Sequence, residues 1–407
     1  MKINVSNEMR LRLQNAAANG STIAADVLAE LKKDCDVSEI IRGNYNYFST
    51  KRKKTECGTF QKIRIVFTAC SKNLTHGSFP DKGNPNAQWF PENRSDLEPS
   101  TFIELFKNLP EYESGEIKYF GSAISLDSKI SIRIGSTMND FLEAYDASNY
   151  TLIADTDSST LHNSCMRYEN KARNAADFYK NFAGAKIMVA KDSNNYVVGR
   201  AVIWNKLVWE RSDNPDMEVS LIDRIYTSHS FVLEMMKRHA QDAGIHFRKQ
   251  YNDFSHTKEC IVMNPVGGTA AGDHISALLS REVPVCCWHK KGVPYMDTFL
   301  SISLTEDKLE LRNHSTPNTI ANCQNTDGSA QKAAQVCPRC NKIHSRYDQI
   351  FCNACTSEIY IDTAFGIALN SQAISYHGVW YPASLFKKRR PLPTFRRYLQ
   401  IERLFMS

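Results

Sequence analysis

The sequence predicts an α+β fold: a mixed central domain, an N-terminal helical and strand region before it, and a cysteine-rich ribbon after it. Three observations lead there. Helical periodicity is confined to separate segments, the stretch from 150 to 260 alternates helix-like and strand-like patterns, and two C-x-x-C pairs stand near the C terminus. At 407 residues, 42% apolar and 23% charged, the chain has room for two or three domains of ~150 residues and a real core. That composition excludes a disordered or collagen-like chain. No apolar run approaches the ~18 residues of a membrane span, and the opening MKINVSNEMRLRLQ carries charges where a signal peptide needs an apolar stretch. A cytoplasmic protein with no membrane partner is expected.

The expected division is an N-terminal region over 1–148, a central domain over 149–313, a linker over 314–335, and a ribbon with a basic tail over 336–407. Residues 1–48 read as helical, with Ser21 placed to cap a second helix in which Ile23, Val27, Leu28 and Leu31 recur at helical spacing. KIRIVFT is rich in β-branched residues and reads as a strand. Five of the fourteen prolines lie between Pro80 and Pro110, so that segment is an irregular excursion holding one short helix, TFIELFKNL.

From Leu161, LHNSCMRYENKARNAADFYKNFAG reads as one helix closing on Gly184. AKIMVA, KDSNN and YVVGRAVIW form a hairpin with a loop of turn formers; EVSLIDRIY is a further strand, SFVLEMMKRHAQDAG a helix ending at Gly244, and IHFRKQY a strand. VPVCCWHKKGVPYMDTFLSISL looks like extended strands joined by HKKG, and the Asn-, Thr-, Ser- and Gln-rich stretch from His314 to Gln335 reads as the linker.

Twelve cysteines in a long chain with no export signal are better explained by a reducing compartment than by a disulfide framework. Cys337 and Cys340, then eleven residues, then Cys352 and Cys355 fit metal: each pair can turn two thiolates toward one point, and four fill the tetrahedral shell of a structural zinc. A complete Cys₄ set leaves no open position for catalysis. Such a ribbon can be a pure staple or can also contact nucleic acid.

The net charge of +6 is concentrated in the tail. Lys387, Lys388, Arg389, Arg390, Arg396, Arg397 and Arg403 are accompanied by the single acid Glu402, which leaves the rest of the chain neutral overall. Phe395 and Tyr398, with Phe386, lie among these cations. An earlier cluster has the same make-up: Tyr45, Tyr47 and Phe48, then Lys51, Arg52, Lys53 and Lys54. Cations neutralise phosphates while rings stack on unpaired bases, the combination used by single-strand binders. The alternative is that the rings fill core and the cations are solvated.

Weaker constellations point to less. GGTAAGDH, from Gly267 to His274, lacks the Gly-Lys-Ser/Thr of a phosphate-binding loop. Cys286, Cys287 and His289, even with His314 or Cys323, match no common zinc module, and His162 and Cys165 lie three apart on a predicted helix without a third group to make a catalytic set. Asp223 and Arg224 fall on opposite faces of their strand.

The element order of 150–260 resembles the acetyl-CoA-dependent N-acetyltransferase (GNAT) core, in which the strand matching SLIDRIYT leads into a pyrophosphate-binding helix. The resemblance implies a GNAT-like sheet. The family's glycines at the strand-to-helix turn are absent, since the turn here is TSHSF. The strings SCMRYE, GRAVIW, DRIYT and VPYMDTF, followed by the cysteine pairs, resemble a poorly characterised group of proteins encoded by bacteriophages and mobile elements. That resemblance covers roughly residues 150–360 and implies a phage protein in the cytoplasm of an infected bacterium, with no catalytic residues to assign. The resulting expectation is a non-enzymatic nucleic-acid-binding protein, directed at single-stranded DNA, acting as a transcription or replication cofactor and able to partner a polymerase. The alternatives are a GNAT-like acyltransferase with a degenerate cofactor site, and a virion or host-inhibiting protein that binds another protein.

Overall fold

The first strand, β1 (Ile3–Val5), gives way to α1 (Asn7–Ala18) at Ser6, whose Oγ accepts from the Met9 N–H at 3.0 Å. These and the following elements belong to a computed structural model that describes residues 3–33, 46–55, 60–68, 94–210, 217–248, 261–264, 275–285, 297–299, 301–305, 308–313, 335–344 and 351–385. Helix α2 (Thr22–Lys32) starts at the expected cap, with Ser21 Oγ accepting from Ala24 N–H at 3.2 Å. Strands β2 (Asn46–Lys54), β3 (Gln61–Thr68) and β4 (Arg94–Leu97) complete a four-stranded sheet in the order β1-β2-β3-β4. Two short helices follow, α3 (Pro99–Glu104), with proline in its first turn, and α4 (Ser114–Ala123).

Both the α and the β expectations hold, in one larger unit than expected. By contacts, Met1–Arg281, Pro294–Thr298 and Arg312–His314 form one unit, and Glu282–Val293, Phe299–Leu311 and Ser315–Ser407 the other, so the boundary expected at 148 falls inside the first. The physical reason is a set of contacts distant in sequence. Arg12 is fully buried on α1 and donates to the Ser125 carbonyl at 2.9 Å, with Glu8 and Asp127 as ion-pair partners. Asn15 and Asn19 donate to the carbonyls of Asp127 and Ser128, and Asn19 also accepts from Ile130 N–H. The first helix is thereby stitched to the segment that enters the main sheet.

That sheet begins with β5 (Ile130–Gly135) and continues, after α5 (Met138–Tyr145), α6 (Thr160–Asn163) and α7 (Glu169–Asp177), with β6 (Lys186–Asp192) and β7 (Val197–Glu210). Then come β8 (Met217–Ile222), β9 (Tyr226–Thr227), α8 (Ser230–Asp242), β10 (His246–Arg248), β11 (Ile261–Asn264) and β12 (Ile275–Pro284). The order is β12-β11-β10-β8-β7-β6-β5, with β9 also on β7. Its pairs are antiparallel except β8 with β10, which are parallel and joined over the sheet by α8, as a parallel pair requires. Gly199 on β7 lets that helix sit close: a Cβ there would lie 2.7 Å from Met236 Sδ and 3.1 Å from a Val232 methyl.

Two expected elements are interrupted. The helix expected over 161–184 breaks at Ser164, whose backbone is extended and whose Oγ accepts both from Met166 N–H and from Arg200. The strand EVSLIDRIY leaves the ladder at 223–225 and rejoins it as β9. Its helix does close at Gly244, with φ +70°.

In the second unit, β13 (Ser301–Thr305) and β14 (Lys308–Arg312) are neighbours. β15 (Gln335–Val336) pairs with β16 (Ile343–His344), α9 (Asn353–Ile359) follows, and two hairpins end the described chain: β17 (Tyr360–Thr363) with β18 (Gly366–Leu369), and β19 (Ala373–Tyr376) with β20 (Val379–Pro382). The last turn, His377-Gly378, has φ of +48° and +78°, the positive pair that a two-residue type I′ hairpin demands. No helix among the described residues is long and apolar enough to cross a membrane.

His229, just ahead of α8, is buried, and its pKa is pushed down to about 4 by that burial. The unfolded chain therefore binds a proton below ~6.5 that the folded chain refuses, so this contribution to stability is present above that pH and is lost as pH falls toward 4. Melting temperature should fall between pH 7 and pH 5, and a His229→Gln variant should show a flatter fall over the same window in a calorimetric pH series.

Candidate metal centre and polar centre of the main sheet

Cys337 lies at the end of β15 in a tight turn: its carbonyl accepts from Asn341 N–H at 2.8 Å and its N–H donates to Lys342 O at 2.9 Å. Asn341 takes φ +59°, a left-handed position that asparagine tolerates. Cys352 is the N-cap of α9, its carbonyl accepting from Thr356 N–H, and Cys355 projects from the first turn of that helix. The four sulfurs of Cys337, Cys340, Cys352 and Cys355 all lie within 4.8 Å of one another, with Cys340 and Cys352 at 3.6 Å. A tetrahedral ion with bonds of ~2.3 Å spaces its sulfurs about 3.8 Å apart, so separations in this range are compatible with a shared ion. The Cys355 N–H, first among several hydrogen bonds, lowers the Cys352 thiol to about 7, whereas burial and the neighbouring sulfurs push Cys355 up. Deprotonating all four at this spacing would call for a cation to share their charge.

The main sheet has a second polar concentration that pattern reading did not identify as a site. Gly199, Ala201 and Ile203 face α8, so alternation turns Arg200, Val202 and Trp204 to the opposite face. There Arg200 is 1% exposed. Its guanidinium carbon lies 4.1 Å from the Tyr145 ring centroid and 4.7 Å from that of Tyr226, while Nε donates to Tyr150 Oη at 3.1 Å and Nη2 to Ser164 Oγ at 3.0 Å. Beside it, Asp223 accepts from Trp204 Nε1 at 2.8 Å, Thr298 Oγ1 at 2.7 Å and Arg224 N–H at 2.8 Å. Asp297 accepts from Tyr226 Oη at 2.8 Å and lies 3.8 Å from Arg224. Asp223 and Arg224 do not take the opposite strand faces expected of them: they lie in the break between β8 and β9 and line the same small cavity. Described residues from four strings dispersed in the sequence, SCMRYE, GRAVIW, DRIYT and VPYMDTF, meet at this point: Ser164, Arg200, Asp223 and Asp297 among them.

The N terminus of α8 is already engaged. Ser230 N–H donates to Asp155 Oδ2 at 2.8 Å, Phe231 N–H to Ser122 Oγ at 3.0 Å, and Ser122 Oγ in turn donates to the same carboxylate oxygen at 2.6 Å. This chain's own anion sits where a helix dipole favours negative charge. A cavity of about 420 Å³ opens beside it, floored by Ile63, Ile65 and Leu97, with Arg64 and Glu98 paired at its rim.

Among the described residues, the first basic-aromatic cluster does not form one surface. Phe48 is a correction: it is fully buried, edge-on to Phe102 at 5.2 Å, and fills core instead of offering a face to a base. Lys51 pairs with Asp96, while Arg52, Lys53 and Lys54 are exposed on β2. Lys51 and Lys53 lie opposite Arg64 and Lys62, which pair with Glu98 and Asp157, so carboxylates already neutralise much of that strand face. Tyr45, the side chain of Tyr47, and the tail residues Lys387, Lys388, Arg389, Arg390, Phe395, Arg396, Arg397 and Tyr398 lie outside the described residues, as do Cys286, Cys287, His289, His314, Cys323 and the Gly267–His274 loop. His162 has both ring nitrogens engaged, Nδ1 with Ser159 Oγ at 2.8 Å and Nε2 with Thr151 O at 2.6 Å, which leaves no nitrogen for a thiol.

The second unit does present aromatic surface. Phe365 is 54% exposed, Trp380 37% and Tyr376 36%. Comparison with family models, curated proteins and solved structures found no match.

Changing Cys352 to Ser should release the metal and loosen the C-terminal module while sparing the first unit, because binding and folding are coupled in such ribbons. Elemental analysis of the wild type should give about one equivalent of metal per chain, and less than about half an equivalent without chelator would count against the assignment.

Proposed function

We propose that this protein is a non-enzymatic nucleic-acid-binding protein whose C-terminal module, stapled by zinc at Cys337, Cys340, Cys352 and Cys355, engages single-stranded DNA. One observation carries this reading: the hairpin β19–β20 and the neighbouring Phe365 expose three large aromatic side chains a few residues before a tail with seven cations and one acid. Rings exposed on a small, stapled module can stack on unpaired bases, and the tail can neutralise the adjoining phosphates. Zinc is favoured for the four thiolates because a closed tetrahedral sulfur shell suits it and offers no coordination position to a substrate. A transcription or replication cofactor in a phage-infected bacterium, working beside a polymerase on melted DNA, is the setting this chemistry fits.

The acyltransferase alternative is supported by sheet order, with a parallel β8–α8–β10 crossover in a largely antiparallel sheet. Against acetyl-CoA use stands the α8 N terminus, where Asp155 and Ser122 take the N–H groups that would hold a pyrophosphate. Calorimetry with acetyl-CoA should give no saturable heat.

Fluorescence anisotropy with labelled single strand and duplex across a salt series tests the main reading. Single-stranded DNA should be preferred, and Trp380→Ala or Phe395→Ala should narrow that preference with little change in salt dependence, at ~1–3 kcal/mol per stacked base. Changing Arg389, Arg390, Arg396 and Arg397 to Ala should weaken binding to every sequence and flatten the salt slope by roughly 0.7 per lost phosphate contact. Equal, unchanged affinities in the wild type and all three variants would overturn it.

A further inference from the structure

We propose that the cleft between the four-stranded sheet and α4 binds a small organic cation, an ammonium group on an alkyl or aryl body, with Asp155 as its counter-ion. The inference concerns the first unit and is independent of nucleic-acid binding. The cleft measures about 420 Å³, within the ~300–1,000 Å³ of small-molecule sites. Its floor is apolar because alternation puts Ile63 and Ile65 of β3 on one face, with Leu97 opposite Ile65 in register. Ile117 and Ile124, from α4 and its end, line it as well. One wall is set by Gly121, where a Cβ would lie 2.8 Å from Pro99 Cγ, so α3 and α4 touch with no side chain between them.

Asp155 gives the cleft its fixed charge. Its N–H donates to Ser228 O at 3.3 Å, and the N–H of Ala154 before it to Gln61 O at 2.9 Å, so the backbone is held from two sides. Both hydrogen bonds to the carboxylate, from Ser122 Oγ at 2.6 Å and Ser230 N–H at 2.8 Å, fall on Oδ2. Among the described residues Oδ1 accepts none, and no cation forms an ion pair with this carboxylate. Of the cations that line the cleft, Arg64 pairs with Glu98 and Lys118 is exposed.

Charge and surface together set the class. A carboxylate held in place beside an apolar floor complements a ligand that only donates at one end and is hydrocarbon at the other. An ammonium forms a charge-assisted hydrogen bond with Oδ1, and its body takes the floor out of water. A divalent metal needs more oxygen ligands than this single carboxylate, and an anion would meet like charge.

Thermal unfolding of the full chain at neutral pH and constant ionic strength provides the test. The probes are benzylamine and hexylamine, the matching acids phenylacetate and hexanoate, and ammonium chloride. At least one amine should raise the melting temperature saturably, by about 3 °C at roughly ten times its Kd, and the other probes should give no saturable rise. The acids keep the body and reverse the charge, whereas ammonium keeps the charge and lacks the body. Asp155→Asn should abolish the rise but can also loosen the start of α8, so Ile117→Trp supplies the second variant. Ile117 is half-buried, and the larger ring fills the cleft while leaving the carboxylate in place. That variant should fold and lose the saturable rise. Diffraction from amine-soaked crystals should place the nitrogen within hydrogen-bond distance of Asp155 Oδ1. A response to neither amine, an equal response to the acids or to ammonium, a full response in Ile117→Trp, or an amine seated away from Asp155 would overturn the proposal.

Discussion

The buried guanidinium of Arg200 is the interaction on which the main sheet depends. It draws in α5 through Tyr145, the α6–α7 connection through Ser164, the loop after α5 through Tyr150, and β9 through Tyr226. A cation taken out of water is tolerated only where its surroundings are fixed. Buried side-chain bonds accompany two irregularities nearby. Ser164 cannot continue a helix while its hydroxyl serves Arg200 and the Met166 N–H, and the chain leaves the β8 ladder at Asp223, whose carboxylate is held by Trp204 and Thr298.

The C-terminal module follows a different physical rule. Its hairpins are two-stranded, and such pairs are marginal in water unless something else holds them. Around the cysteines the described buried apolar groups are few, chiefly Phe351 against Tyr360, with Ala368 and Leu369 on β18. A metal held by the four cysteines would offset that shortage of core. Phe365, Tyr376 and Trp380 remain on the surface.

What the sequence disclosed was local. The paired cysteines, the Ser21 cap, the β6–β7 hairpin and the end of α8 at Gly244 depend on a few neighbouring residues, and each was legible. Contacts distant in sequence were not. Nothing in the periodicity of α1 announces that Arg12, Asn15 and Asn19 grip residues 125–128, which is why a division at 148 looked reasonable. Phe48 reads like its neighbours Tyr45 and Tyr47 until Phe102 is seen against it. For Arg200 one signal was available: a lone cation inside VVGRAVIW, a run apolar enough to be buried on both faces, must bring partners with it.

Ultraviolet cross-linking of the full chain to a single-stranded oligonucleotide, followed by mass spectrometry of the joined peptides, bears most directly on the division between a scaffolding sheet and a binding module. Cross-links should fall on the β19–β20 hairpin, at Tyr376 or Trp380, and on the tail around Phe395 and Tyr398. Cross-links confined to the first unit, or none with either single strand or duplex, would contradict it.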